Sequence, residues 1–229
     1  MYDHWRGEFY PSELPKTKWF SHYSRHFSTV ELNSSFYHLP SDKAFGTWQD
    51  KAPDGFIYAV KVSRYITHMK KLRDVDEPLQ TFISRARLLG DKLGPLLYQL
   101  PPGMKRNNAV LHAFLKLLPC DMDQVFEFRN ESWFDDGIYA LLRKYNAAFC
   151  VYDLPGTTTP PVATADFAYV RFHGRTDLYD SCYTDEELEA WAKKIVKLGK
   201  GMSAVYVYFN NDSHAFAVQN ARKLREMLG

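Results

Sequence analysis

The chain has 229 residues, of which 45% are hydrophobic, 24% charged and 16% aromatic, and its formal net charge is +2. A chain of this length buries roughly 70% of the surface that its unfolded form exposes, so folding requires no disulfide or metal. The composition excludes intrinsic disorder, and the near balance of charge removes overall charge as an argument for nucleic-acid binding.

Seven short runs rich in β-branched and aromatic residues predict seven strands, and segments with helical periodicity separate them. This alternation is typical of βα units that build a parallel sheet. In chain order the runs are TVELNSSFY from Thr29, FIYAVKVS from Phe56, GPLLYQLP from Gly94, QVFEFRN from Gln124, AFCVYDLP from Ala148, FAYVRFHG from Phe167 and AVYVYFNND from Ala204.

Apolar stripes at helical spacing predict a helix in most of the connections. Thr184 and Glu187 have the spacing of a capping box before one of these helices. The Pro/Thr-rich segment between Leu154 and Ala165 has no helical pattern, so we expect a loop there. Residues 1–229 are predicted to form one (β/α) barrel domain. The apolar stripes begin at Trp19, Leu79, Val110, Ile138, Leu188 and close to Ser213.

Polar residues occupy alternate positions at the carboxyl ends of the predicted strands. Because side chains alternate across a strand, each polar series lies on one face. Strands of an open parallel sheet are covered on both faces and are more continuously apolar. We therefore predict an α/β fold of the TIM type, a (β/α) barrel whose polar strand ends meet at its mouth, with a doubly wound sheet as the alternative. The series are Glu31 with Asn33, Lys61 with Ser63, Gln99, Glu127 with Arg129, Asp153, Arg171 with His173, and Tyr208 with Asn210.

Several strings along the chain occur in the order of one known family. They are HWRGEFYP from His4, TVELNSSFY, YAVKVSRYITH from Tyr58, KLGPLLYQLPP from Lys92, EFRNESW from Glu127, YVRFHG from Tyr169 and VYVYFNND from Val205. Together they make the chain resemble the domain of unknown function 72 family over essentially its whole length. The resemblance implies a TIM-type barrel and leaves the chemistry open.

The start of the chain departs from that family pattern, in which a first strand ends in a Gly-Thr-Ser-Gly-Trp-like motif just before the HWRG segment. The chain begins at Met1, inside what corresponds to the first βα loop, so the resemblance leads us to expect that the first strand is missing from this chain. Since barrel closure removes strand edges, we expect the natural product to have about ten further residues upstream. Without them, the edges of the first and last runs are expected to be bridged by the N-terminal segment, shielded by a neighbouring molecule, or joined in a seven-stranded barrel.

The predicted mouth combines acids, cations and an imidazole, a mixture typical of catalytic sites. The arginines suit bidentate binding of a carboxylate or phosphate. The alternatives are a salt-bridged network that only fills the barrel top and, for the imidazole, a structural histidine. The predicted catalytic residues are Glu31, Glu127, Asp153 and His173, acting in acid/base catalysis. The predicted substrate-binding residues are Asn33, Tyr37, Lys61, Gln99, Arg129, Trp133, Arg171 and Asn210.

Two further functions are kept as alternatives. The three acids and His173 together form a donor set for a divalent metal in a hydrolase, although the three cations of the mouth count against it, and the sequence requires no cofactor. The basic segment RYITHMKKLR at 64–73 suits a nucleic-acid backbone, with a solvated surface as the simpler interpretation. Aromatic residues predicted near the mouth, which either stack on a base or sugar or pack the loops, are Tyr2, Trp5, Phe36, Tyr37, Trp133, Tyr179 and Tyr183.

The sequence thus predicts a metal-free enzyme of the hydrolase or lyase class that acts on a small anionic or polyhydroxylated molecule. The three cysteines, Cys120, Cys150 and Cys182, lack the spacing of a zinc site and are odd in number, which indicates reduced thiols in the cytoplasm. No apolar run reaches the ~18 residues of a membrane span, so we expect no membrane partner.

Overall fold

A computed structural model describes residues 2–229. Its strands are β1 (Thr29–Leu32), β2 (Ile57–Lys61), β3 (Leu93–Leu100), β4 (Gln124–Phe128), β5 (Ala147–Leu154), β6 (Thr157–Thr158), β7 (Ala168–Phe172) and β8 (Val205–Phe209). Its α-helices are α1 (Trp19–Tyr23), α2 (Ser34–Tyr37), α3 (Asp42–Lys51), α4 (Asp76–Ala86), α5 (Asn108–Leu115), α6 (Asp136–Lys144), α7 (Asp185–Leu198) and α8 (Phe216–Leu228).

The chain forms two compact units. The middle unit is Tyr23–Ala148, and the terminal unit combines the residues up to His22 with Phe149–Gly229. In the middle unit, β1, β2, β3 and β4 are parallel and pair in sequence order. In the terminal unit, β5, β7 and β8 are parallel and again pair in sequence order.

One face of the middle-unit strands is apolar and packs on helices. Tyr98 of β3 stacks on Phe126 of β4 with 5.0 Å between ring centroids, and Phe114 of α5 meets Tyr98 edge-on at 5.3 Å. These rings are almost completely buried, and large buried aromatics contribute heavily to a core. The polar alternate positions of the same strands therefore lie on the other face.

The end of α3 in the middle unit is held by a buried lysine. The Lys92 ammonium donates to the carbonyl oxygens of Gln49 and Ala52 at 2.8 and 2.6 Å. The last carbonyls of a helix have no partner within it, and a cation there also suits the helix dipole. This contact fixes α3 to the start of β3.

The terminal unit has its own aromatic core. Phe172 of β7 stacks on Phe209 of β8 at 4.6 Å and meets Trp191 of α7 edge-on at 4.9 Å. The predicted capping box is confirmed, because Thr184 and Glu187 satisfy each other's backbone N–H groups at the start of α7. β7 and β8 thus present an apolar face to α7.

The seven predicted strands and the α/β class are confirmed, and so is the TIM-type arrangement of parallel strands in sequence order. A doubly wound sheet would require a reversal of strand order. The expected upstream strand stays a prediction, as does the single domain. Within residues 2–229, no helix combines the length and apolar character of a membrane span.

Two local predictions were wrong. The Pro/Thr-rich segment after β5 contains a short strand, β6, that pairs antiparallel with the end of β5. The run TVELNSSFY is a strand only as far as Leu32 and continues as the helix α2, Ser34–Tyr37. In addition, the basic segment 64–73, for which no helix was predicted, contains a π-helical turn, Tyr65–Met69, that follows β2 after three residues. These elements are too short to leave a periodic signal in the sequence.

Candidate functional site

Six polar residues of the middle unit share one face at the carboxyl ends of its strands. The register pairs Glu31 with Ala59, Lys61 with Leu97, and Gln99 with Glu127. Paired residues in a parallel sheet point to the same side, as do residues two apart along a strand. Glu31, Lys61, Gln99 and Glu127 therefore lie on one face of the four strands, and hydrogen bonds to the two acids add Asn33 and Arg129. The strand-end cluster consists of Glu31, Asn33, Lys61, Gln99, Glu127 and Arg129.

The two acids of the cluster have different partners. Glu127 is fully buried, and its Oε1 accepts a hydrogen bond from Nε of Arg129, which forms an ion pair with it. Glu31 is 9% exposed, and its Oε1 accepts from the Asn33 side-chain amide at 3.0 Å. A buried carboxylate requires a cation or several donors to offset the loss of water. The cluster is thus a compact arrangement of opposite charges.

Lys61 lies over an aromatic ring. Its ammonium is 4.2 Å from the centroid of Phe36, which is buried in α2. Tyr37, the next residue of α2, is 62% exposed and meets Phe36 edge-on at 5.1 Å. Cation–π attraction favours this position of the ammonium over the ring. Lys61 is therefore held over Phe36, on the strand face that also carries Glu31 and Glu127.

The π-helical turn adds a histidine that the sequence analysis treated only as part of a basic segment. His68 meets Phe36 edge-on at 5.0 Å, and its Nδ1 is 2.9 Å from Oγ1 of Thr67. Burial, followed by the charges of Lys61 and Arg64, lowers the pKa of His68 below its usual value. The carboxylate of Glu127 opposes this shift. His68 therefore interacts electrostatically with residues of the strand-end cluster. The signal in the sequence that could have identified it is its place shortly after a predicted strand.

The terminal unit carries a second polar group on one face. The register pairs Arg171 with Tyr152 and with Tyr208, so these side chains point to the same side. His173 lies on that side as well, with its ring edge-on to Tyr152 at 6.4 Å. Arg171 and His173 are 2% and 1% exposed, whereas Asn210 is half-buried. The predicted alternation of Arg171, His173 and Asn210 agrees with this register.

Asp153 lies on the opposite face, contrary to the predicted grouping. It pairs with Phe172, whose ring packs on α7, so Asp153 faces the helix layer. Its carboxylate accepts hydrogen bonds from the Tyr183 hydroxyl at 3.0 Å, from Arg175 at 3.3 Å and from Thr158. Burial and the nearby Asp153 carboxylate raise the pKa of Tyr183 well above its usual value. Asp153 therefore anchors the segment that follows β7.

Most of the aromatic residues predicted near the mouth pack against protein. Trp133 is fully buried, stacks on Phe128 at 4.7 Å and donates from Nε1 to the Met104 carbonyl at 2.7 Å. These contacts favour a packing role for Trp133. Trp5, Phe36 and Tyr183 are also buried, whereas Tyr2, Tyr37 and Tyr179 are 40%, 62% and 47% exposed.

The residues that the structure describes contain no group of three His, Cys, Asp or Glu side chains placed to hold a metal ion. The geometry thus gives no support to the metal-dependent alternative. Two cavities of the middle unit, about 380 and 440 Å³, lie beside the amino ends of β3 and β4 and beside Tyr65 and Phe82. The second cavity adjoins the segment beyond the carboxyl end of β2, but neither cavity is lined by a residue of the strand-end cluster. Because ligand sites of TIM-type folds are built from polar residues at carboxyl strand ends, the strand-end cluster is the candidate site.

Comparisons with known proteins identify relatives but state no substrate or reaction. A family model described as "Protein of unknown function DUF72" matches residues 1–229. The UPF0759 protein YunF of Bacillus subtilis is 29% identical over 252 residues, covering 96% of this chain and 89% of YunF. The UPF0759 protein YecE of Escherichia coli is 32% identical over 117 residues, covering 50% of this chain and 43% of YecE.

Two solved structures are similar as well. A DUF72 family protein from Thermotoga maritima has a TM-score of 0.90 and 30% identity, covering 99% of this chain and 95% of that one. Another from Enterococcus faecalis has a TM-score of 0.82 at 21% identity, covering 90% of this chain and 86% of that one, which supports the fold alone.

Proposed function

The chain belongs to the DUF72 family, and we propose from its own residues that it is an enzyme acting by acid/base catalysis on a small anionic or polyhydroxylated molecule. The observation that carries this proposal is the strand register of the middle unit. It places Glu31, Lys61, Gln99 and Glu127 on one face at carboxyl strand ends, and hydrogen bonds to the two carboxylates add Asn33 and Arg129. Residues at these ends perform the chemistry in TIM-type enzymes.

The cations and amides supply binding. Lys61 on Phe36 and Arg129 beside Glu127 provide positive charge for an anionic group. Asn33 and Gln99 provide amide donors and acceptors of the kind that bind sugar hydroxyls. A site with both kinds of group suits a substrate that carries a carboxylate or phosphate on a hydroxylated skeleton.

The carboxylates supply proton transfer. Glu127 is held by a guanidinium, whereas Glu31 is held by an amide. Two acids in different surroundings can take separate acid and base roles. Acid/base chemistry without a redox step is compatible with the hydrolase or lyase class that we propose. The cytoplasm suits this enzyme, since no disulfide joins its three cysteines in the described chain.

To test this proposal, the protein is incubated with a metabolite mixture, and mass spectrometry measures the rate at which each compound is depleted. The wild type is expected to deplete an anionic or polyhydroxylated compound. Glu31→Gln and Glu127→Gln are expected to lower that rate by about 10²–10⁴-fold, the usual contribution of a general acid or base. Glu77→Gln removes an exposed acid of the same unit and serves as the control. Equal rates in all four proteins would refute the catalytic role.

A further inference from the structure

His68 lies beside the strand-end cluster on an unusual piece of backbone. It belongs to the π-helical turn Tyr65–Met69, which follows β2 and its Lys61 after three residues. π-helical turns are rare and often occur at functional sites. His68 is half-buried, so its ring is shielded on one side and still reachable.

The backbone just beyond this turn is strained. Lys71, Leu72 and Asp74 have φ values of 51°, 67° and 51°, in the left-handed region that non-glycine residues avoid. Such strain persists only where surrounding contacts impose it, and it clusters at active sites and ligand clamps. Here buried Leu72 donates its N–H to the carbonyl of Ile66 at 3.0 Å. The strained residues thus hold the turn, and with it His68, in place.

The hydrogen bonds of Thr67 determine which ring nitrogen of His68 is basic. The Thr67 hydroxyl donates its hydrogen to the carbonyl of Ser63 at 3.2 Å. With that hydrogen committed to Ser63, the hydroxyl oxygen is assigned as the acceptor of a hydrogen bond from Nδ1–H of His68, the two atoms being 2.9 Å apart. In this tautomer Nε2 is the nitrogen that can accept a proton.

Burial and nearby charges lower the pKa of His68 when no anion is bound. Burial has the largest effect, the charges of Lys61, Arg64 and Arg129 lower the pKa further, and the carboxylate of Glu127 raises it. A bound anion beside the cations would reverse the balance, because negative charge favours the imidazolium. Binding and proton uptake are then coupled, each favouring the other.

Building on the proposed function, we propose that His68 is a further acid/base residue of this site and takes up a proton at Nε2 when an anion binds beside Lys61. The proton comes from solvent, and no other bond changes. His68 then holds a proton next to the bound anionic group, where it can be given to a leaving oxygen. The inferred ligand class is a small oxyanion or a molecule that ends in one.

Inorganic sulfate is a suitable probe, since it stays doubly charged over the relevant pH range. Calorimetry at pH 6.5 in two buffers of different ionisation enthalpy measures the protons taken up with sulfate. The wild type and His38→Asn, which alters an exposed histidine of the same unit, are expected to show uptake. His68→Asn keeps a group that can bond Thr67 but lacks Nε2, and is expected to show none.

NMR titration of the His68 ring in the unaltered protein provides a measurement that needs no variant. Sulfate is expected to raise the pKa of His68, and wild-type affinity is expected to fall several-fold from pH 6 to pH 8. Sulfate binding that Lys61→Met weakens, with no change at His68, would overturn this inference and leave the proposed function standing. No sulfate binding at Lys61 would overturn the anion site and this inference together.

Discussion

Glu127 and Arg129 form an ion pair almost out of water, with side chains 0% and 13% exposed. Removing one partner of a buried pair leaves an uncompensated charge and typically costs about 3–5 kcal/mol. Arg129→Met is therefore expected to lower the free energy of unfolding by about 3 kcal/mol. Urea denaturation at pH 7 measures this change.

The matched control is a second arginine of the middle unit. Arg87 makes a bidentate pair with Asp121, both bonds being 2.9 Å, with side chains 48% and 57% exposed. Exposed pairs contribute about 0–1 kcal/mol, so Arg87→Met is expected to cost no more than that. Equal losses in the two variants would contradict the burial argument.

His68 gives the protein a pH-dependent stability of known sign. Its folded-state pKa lies below the unfolded value near 6.5, so the unfolded chain binds more protons between these two values. Stability then rises with pH across that window. As the pH falls from 7 to 5, the wild type is expected to lose more free energy of unfolding than His68→Asn. Parallel pH profiles from denaturant titrations would show that the folded environment leaves His68 unperturbed.

The face on which a side chain lies could be predicted where polar residues alternate strictly along a strand. Glu31, Lys61, Glu127 and their neighbours stand at every second position, and the register groups them as expected. Asp153 could not be placed this way, because an alternating pattern does not say which face a single acid takes. Its donors Arg175 and Tyr183 come 22 and 30 residues later, so no local pattern encodes them.

At the scale of elements, β2 and β3 approach closely at a glycine. A Cβ on Gly94 would overlap the Ile57 side chain and lie 3.3 Å from the carbonyl oxygen of Tyr58. Gly94→Ala is expected to lower the free energy of unfolding by about 1–3 kcal/mol, the usual cost of overpacking. Thermal and urea denaturation both measure this loss.

Gly46 in α3 is the matched control, since a Cβ there meets nothing within 4 Å. Gly46→Ala is expected to stabilise the protein by about 0.5–1 kcal/mol, because alanine loses less backbone entropy in a helix. A loss of stability in this variant, or none in Gly94→Ala, would contradict the described packing of these elements.

Strands and helices with a periodic apolar pattern could be predicted from the sequence, whereas elements fixed by single contacts could not. The strands and the longer helices carry apolar stripes over many residues, whereas α3 is polar for most of its length and depends on Lys92 at its end. The π-helical turn and β6 depend on backbone hydrogen bonds that leave no repeat in the sequence. Individual contacts, with no repeating pattern in the sequence, determine these segments.

At the scale of the whole molecule, the charge argues against a nucleic-acid partner. The formal net charge is only +2. In the basic segment 64–73, His68 interacts electrostatically with Arg64 and with residues of the strand-end cluster. We predict that single-stranded DNA and RNA are not retained on the protein at about 150 mM salt, where weak phosphate contacts are lost to counterions. Retention at that salt, measured by fluorescence anisotropy, would favour the nucleic-acid alternative.

Binding of an anion by the strand-end cluster of the middle unit can be observed in crystals soaked in selenate, because selenium scatters anomalously. We expect an anomalous peak at hydrogen-bonding distance from the Lys61 ammonium and the Arg129 guanidinium, and no such peak in Lys61→Met crystals soaked in the same way. Peaks confined to surface cations, with none beside Lys61 in the wild type, would contradict anion binding by this cluster.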